Sequence, residues 1–345
     1  MADHGAEVIR IEPPEGEPVR EVGLKMGGHS VWFRNTHRGK RSVCLNLKNP
    51  AHQSVLLELV RTADVFIEAF RPGVIQRLGF GFDCLHAINP RLVYCSLSAF
   101  GQTGPLRDKP AHDLAIQAQS GLLSVNLGDD GQPCNPNIPS ADMAGSLMAL
   151  SGILMALYRR TSTGLGDYLD ISMQDCLMAW TPNALGPVFA ENRAAVAKHE
   201  RSWGGNAFYR IYQTRCGQHL ALGGAEHKFV RNLLNALGKP ELEACTHRGP
   251  GPHQQPLVDF LTQSFLTRDL ANWTHFLSTI DVCWAPVLDL KQAFEQPQVQ
   301  ARGMLQFDAH NMPHVGVPIR FQNEPAQPDL SVPELGQDNV RFGVL

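Results

Sequence analysis

The stretch Ala63-Asp64-Val65-Phe66-Ile67-Glu68-Ala69-Phe70-Arg71-Pro72-Gly73 decides the fold. Its apolar, β-branched and aromatic centre predicts a short strand, and Arg71-Pro72-Gly73 stops it. The same unit recurs in both directions. Residues 6–12 read as a strand closed by Pro13-Pro14, residues 42–47 as another, and residues 92–97 as a third, with helical patterns over 50–62 and around 74–87 between them. Strands and helices alternating at this spacing predict an α/β fold, a doubly wound and largely parallel sheet. In such sheets ligands bind beyond the carboxyl ends of the strands, where this chain places loops rich in Gly, Pro, Ser and Arg.

Composition narrows the function. The chain has 345 residues, 43% of them hydrophobic and 18% charged, with a net charge of -3. Basic residues are scattered apart from His37-Arg38-Gly39-Lys40-Arg41, so an anion site is expected to be local and nucleic acid is not expected as a partner. No apolar run reaches the length of a membrane span and no signal-peptide layout opens the chain, which reads as soluble and cytoplasmic. The eight cysteines form no CxxC pair and read as reduced thiols, mostly in the core. The 14 histidines give no HExxH pattern, so no metal is expected. Gly79-Phe80-Gly81 is too short for a nucleotide fingerprint, and Trp180, Trp203, Trp273 and Trp284 read as core or subunit-contact residues.

Further along, Pro139-Ser140-Ala141-Asp142-Met143-Ala144-Gly145-Ser146 leads a polar loop into a helix predicted over 142–160, with Met143, Leu147, Leu150, Leu154 and Leu157 on one face. Asp142 reads as the helix cap, held ionised by free N–H groups and the helix dipole, a bias of about 0.3–1 kcal/mol at an exposed site. Such a carboxylate serves as nucleophile, base or cap. The pattern weakens over 182–205, the expected domain boundary. Beyond it, residues 208–213 and 219–222 flank Cys216-Gly217-Gln218 as a hairpin, followed by helices near 226–237, 255–266, 270–279 and 290–301.

Several segments in order resemble the family III CoA-transferases, the CaiB/BaiF group that also contains the alpha-methylacyl-CoA racemases. They include residues 5–12, 38–43, 63–68, Phe70-Arg71-Pro72-Gly73, Arg77-Leu78-Gly79, 89–94, 100–105, Ala111-His112-Asp113, Ser140-Ala141-Asp142, 163–166 and 172–175. The resemblance implies a large domain of residues 1–195 completed by 300–345, a small domain of 205–290, linkers at 182–205 and 287–300, and an interlocked homodimer. It implies that Asp142 attacks an acyl-CoA thioester, forms an anhydride and then an aspartyl-CoA thioester, and hands CoA to a small carboxylic acid. Coenzyme A would enter as part of the substrate, with no tightly bound cofactor. Gly223-Gly224-Ala225 is expected to let backbone donors approach the thioester.

The same resemblance carries a second chemistry. In the racemases an aspartate and a histidine exchange the proton alpha to the thioester, which would give His112 and Asp142 the two bases, with Glu226 assisting. Read alone, His112 is a polar core residue and Glu226 a first-turn helix carboxylate. For CoA the resemblance points to Lys48, Phe70, Arg71, Arg77 and Arg38. Cations suit its phosphates and an aromatic ring suits its adenine. Lys48 also reads as a solvated side chain, and Arg71 as part of a turn. The family begins earlier than this chain, with a strand and a small-residue loop that helps hold CoA, so a truncated start is expected, and an inactive CoA-ester-binding partner is a third reading.

Overall fold

The computed structural model describes residues 1–128 and 130–344; Asp129, and Leu345 of the expected 300–345 tail, lie outside them. The alternation read from the sequence is present. In order come β1 (Ile9–Glu12), α1 (Val31–His37), β2 (Arg41–Cys44), α2 (Pro50–Thr62), β3 (Val65–Glu68), α3 (Val74–Arg77), α4 (Phe82–Ile88) and β4 (Val93–Ser98). They are followed by α5 (Asp113–Gln119), α6 (Ser140–Thr163), β5 (Tyr168–Ser172) and α7 (Met173–Ala179). All strand pairs here are parallel, but they fall into two ladders, β1–β2 and β3–β4–β5. Among the described residues β1 and β3 each pair on one edge only. One apolar layer nevertheless serves both ladders. Leu56 and Val60 of α2 and Leu85 of α4 pack with Val43, Tyr94, Ile11 and Phe66. The opposite face of β3–β4–β5 is covered by α6, so this sheet is buried on both sides, as a parallel sheet requires.

The large residues spaced along α6 divide: Met143, Leu147 and Leu154 are 50%, 49% and 53% exposed, while Leu157 packs with Val93 and Cys95 of β4. The buried face is Ala141, Ala144, Gly145, Ala149, Ile153 and Ala156, of which Ala149, Ile153 and Ala156 pack on Val93 and Cys95 of β4. Close approach decides this. A Cβ on Gly145 would stand 2.9 Å from Met173 Cγ and 3.2 Å from Leu97 Cδ1, so only the small-residue stripe fits against β4 and α7. Although the sequence suggested no membrane-length segment, α6 is long and apolar enough to cross a membrane by length and composition; here its small-residue face lies on the sheet.

Two helices split where breakers sit. The expected helix over 74–87 becomes α3 and α4 because Gly79 adopts φ +90° and Gly81 lies against Gln76, and that over 290–301 becomes Leu290–Glu295 and Pro297–Ala301 at Pro297. The cysteine reading is corrected too: all eight are free, but Cys84, Cys134, Cys216 and Cys283 are exposed. After a short helix at Gly186–Glu191, the hairpin forms as β6 (Tyr209–Gln213) and β7 (His219–Gly223), joined by β8 (Trp284–Pro286) in an antiparallel sheet. α8 (His227–Ala236), α9 (Gln255–Phe265) and α10 (Leu270–Leu277) close its core around Phe208, Leu222, Leu233, Phe265 and Trp273. Finally the tail returns to β2. Ser42 N donates to Asp338 Oδ2 at 3.0 Å, Cys44 N donates to Asn339 Oδ1 at 2.8 Å, and Val344 enters the apolar layer.

Candidate active site

The head of α6 is built from α5. Asp113, the first residue of α5, turns its carboxylate toward α6, and its Oδ1 accepts the backbone N–H of Ala141 at 2.8 Å and of Asp142 at 3.2 Å. Its Oδ2 accepts from Gln117 Nε2 at 2.7 Å, and the buried Gln117 amide also donates to Ile138 O at 3.2 Å. Asp113 therefore caps a helix that begins 27 residues downstream, and Gln117, one turn along α5, holds it there.

This arrangement corrects the reading of Asp142. Asp142 lies in the first turn of α6 rather than at its cap, and no side chain of the capping residue, Pro139, bonds the helix end. Among the described residues the Asp142 carboxylate accepts no hydrogen bond, because the N–H groups that would hold it ionised point to Asp113. Its pKa is raised, first by partial burial and then by the Asp113 charge, with His112 acting in the opposite sense. The result is a half-buried, unshared and more basic carboxylate, which is what a nucleophile or proton acceptor needs. His112 sits at the N-cap of α5, exposed and without a side-chain capping bond, rather than in the core. It is close enough to act electrostatically on Asp142.

Glu226 stands elsewhere, exposed at the N-cap of α8 in the antiparallel unit. Within the described residues of one chain no hydrogen bond or ion pair ties it to His112 or Asp142. Gly224 just before it is needed for packing: a Cβ there would meet Cys283 Cβ at 2.7 Å and Glu226 Oε2 at 2.9 Å. Three residues suggested for CoA lie on loops past strand ends, and a fourth, Arg77, is the last residue of α3. Lys48 follows β2, and Phe70, Arg71 and Arg77 follow β3; all four are exposed, and the three cations form no ion pair among the described residues. Buried Glu68 pins this loop by accepting Phe70 N at 2.9 Å, and its own pKa is raised by burial.

Arg38 differs from the other cations. It is buried, and its fork grips both oxygens of Asp3 at 2.9 Å while Nη1 donates to Val315 O. A guanidinium so committed is unavailable to a phosphate, so the structure removes Arg38 from the CoA set and gives it a structural role. We predict that Arg38→Ala lowers the thermal midpoint with little change in KM for acyl-CoA. Arg77→Ala is expected to do the opposite, raising KM several-fold at an unchanged midpoint. Calorimetry and initial rates on the two variants check this.

A model of the CoA-transferase family III matches residues 1–339. The chain belongs to CoA-transferase family III. Among family relatives, the acetyl-CoA:oxalate CoA-transferase of Acetobacter aceti is 36% identical over 320 residues, 88% of this chain and 79% of that protein. The succinyl-CoA–D-citramalate CoA-transferase of Chloroflexus aurantiacus is 30% identical and aligns over 98% of this chain and 87% of its own. The human alpha-methylacyl-CoA racemase is 32% identical over 88% of this chain and 76% of that enzyme. A crystal structure of a CAIB/BAIF family protein from Brucella suis superimposes with a TM-score of 0.84 at 26% identity, covering 98% of this chain and 91% of that one. For this family III chain, sequence reasoning passed over the roles of Asp113 and Gln117. Their signal was available: an acid and an amide four apart on one helix face, next to His112.

Proposed function

We propose that the chain transfers CoA from an acyl-CoA thioester to a small carboxylic acid, with Asp142 as the nucleophile. The observation that carries this reading is the unshared, half-buried Asp142 carboxylate beside the capped head of α6, with its raised pKa. An Asp142 oxygen adds to the thioester carbon, the C–S bond breaks, and CoA leaves as thiolate, giving a mixed anhydride. The thiolate then attacks the Asp142 carbonyl, releasing the first acid and leaving an aspartyl-CoA thioester. The acceptor carboxylate attacks that carbonyl and the thiolate returns to the acceptor acyl carbon, which restores Asp142. Every step is an acyl exchange, so no oxidant or net proton is consumed. Lys48, Arg71 and Arg77 supply cations for the CoA phosphates and Phe70 a ring for the adenine. Relatives named for oxalate and D-citramalate support a small acid as acceptor.

The same reading includes a dimer. The outer face of α6, with Met143, Leu147, Leu154, Met155 and Tyr158 exposed, is an apolar surface of the sort a second chain covers. A partner is also what would bring a Glu226 to an active site, since among the described residues of one chain no hydrogen bond or ion pair joins it to Asp142. Proton exchange alpha to the thioester is the second reading, favoured by the electrostatic coupling of His112 to Asp142 and by the racemase relative.

One experiment separates them. The enzyme is incubated with a 2-methylacyl-CoA in deuterated water, with and without a carboxylic acid acceptor. Acceptor-dependent CoA movement without deuterium at the alpha carbon is the expected result, and His112→Ala should reduce it less than 10-fold. Acceptor-independent deuteration, lost by 10² or more in His112→Ala, would establish the racemase chemistry instead.

A further inference from the structure

We propose that His227, Glu243 and His247 form a binding site for a divalent transition-metal ion of the Zn²⁺ type, outside the CoA chemistry. The donor atoms of these three side chains all lie within 4.8 Å of one another. His227 opens α8, Glu243 lies on the 3-10 helix Pro240–Thr246, and His247 follows that helix directly. The two histidine rings stand 5.8 Å apart, edge to face. Their scaffolds are anchored: Leu233 and Leu234 of α8 are fully buried, and Leu242 and Cys245 of the 3-10 helix pack on the same core.

The donor chemistry selects the ion. Two imidazoles and one carboxylate suit Zn²⁺, Co²⁺ or Ni²⁺, whereas Mg²⁺ and Ca²⁺ demand oxygen. Ligands about 2.1 Å from a tetrahedral ion stand about 3.4 Å apart, so the side chains must close in by at most about 1.4 Å. Both histidines are exposed and free to rotate that far. Three protein ligands leave the fourth position for water.

Arg231, one turn after His227, reaches the same carboxylate. Its Nε and Nη2 donate to Glu243 at 3.3 and 3.1 Å, which aims the carboxylate while leaving further lone pairs on both oxygens. The guanidinium also repels an incoming cation. Removing Arg231 is therefore expected to tighten the site, whereas removing a ligand weakens it, an opposite pair of signs that scattered surface binding does not produce. A bound ion ties the first turn of α8, and with it the N-cap Glu226, to the end of the neighbouring 3-10 helix. The histidine spacing predicted no metal, because these ligands come from elements that only folding brings together.

Chelator-treated full-length chain is titrated with Zn²⁺ by calorimetry and with Co²⁺ by visible absorption. One equivalent per chain is expected. His247→Ala and Glu243→Gln should each weaken binding at least about 10-fold, and Arg231→Gln should strengthen it several-fold. All of these positions are at least partly exposed, and circular dichroism confirms that the variants fold. Unchanged affinity in His247→Ala overturns the site. So does a thiolate-to-cobalt charge-transfer band, which would place the ion on one of the exposed cysteines.

Discussion

Replacing Asp142 with Ala is expected to lower kcat for CoA transfer by at least about 10⁴-fold, the scale seen when a covalent nucleophile is removed. Asp113, whose charge acts on Asp142, spends its oxygens on Ala141, Asp142 and Gln117 and cannot turn to a thioester without uncapping α6. The change should also abolish the enzyme-bound CoA adduct that mass spectrometry detects on wild type after mixing with acyl-CoA. A carboxyl whose folded pKa is raised has its charged form disfavoured by the fold, so the group costs stability once pH exceeds its unfolded value. Asp142→Asn should therefore unfold at the same temperature as wild type or higher at neutral pH, while being inactive. Activity within 10-fold of wild type in the Ala variant would remove Asp142 from the mechanism.

Asp113 gives the second large effect, and two substitutions divide its roles. Asp113→Ala leaves the N–H groups of Ala141 and Asp142 without their acceptor; losing such a cap costs about 1–2 kcal/mol of stability. It also frees the turn that carries Asp142. Displacing a reacting group by about 1 Å can cost about 10² in rate, and a kcat loss of that order is expected. Asp113→Asn keeps an oxygen for the two N–H groups but removes the charge that helps raise the Asp142 pKa. The acid limb of the pH–rate profile should then move to lower pH, because Asp142 ionises more readily, and the plateau rate should fall, because its carboxylate is less basic. An acid limb at the wild-type position in Asp113→Asn would show that Asp113 is only a cap.

The parallel fold was legible because it is written in local periodicity. Residues 63–73 and 92–97 carry their strands and stops within themselves, and Pro50, Gly79 and Pro297 mark boundaries by their own backbone chemistry. What sequence could not supply was partnership. Arg38 looks like any other cation until Asp3 is folded against it, and Asp142 looks like a cap until Asp113 arrives from 29 residues away to take that role. The buried face of α6 was not legible for a related reason. Leucine spacing says which residues are large, whereas the strand-to-helix distance, set by Gly145 and its alanine neighbours, decides which face can be buried.

The return of the tail to β2 has a consequence for how the chain is made. The edge of β2 is sealed by Asp338 and Asn339, 296 and 295 residues beyond the Ser42 and Cys44 amides they accept. While the ribosome is still building α6 and the antiparallel unit, that edge has no occupant and its backbone donors are open to any passing strand. At a synthesis rate of about 5–20 residues per second, the exposure lasts tens of seconds. A nascent chain stalled or cut before residue 336 would carry a nearly complete active-site scaffold with a sheet edge that sticks to its neighbours, so recoverable protein should drop abruptly with deletions that reach Asp338, however far those residues lie from the thioester.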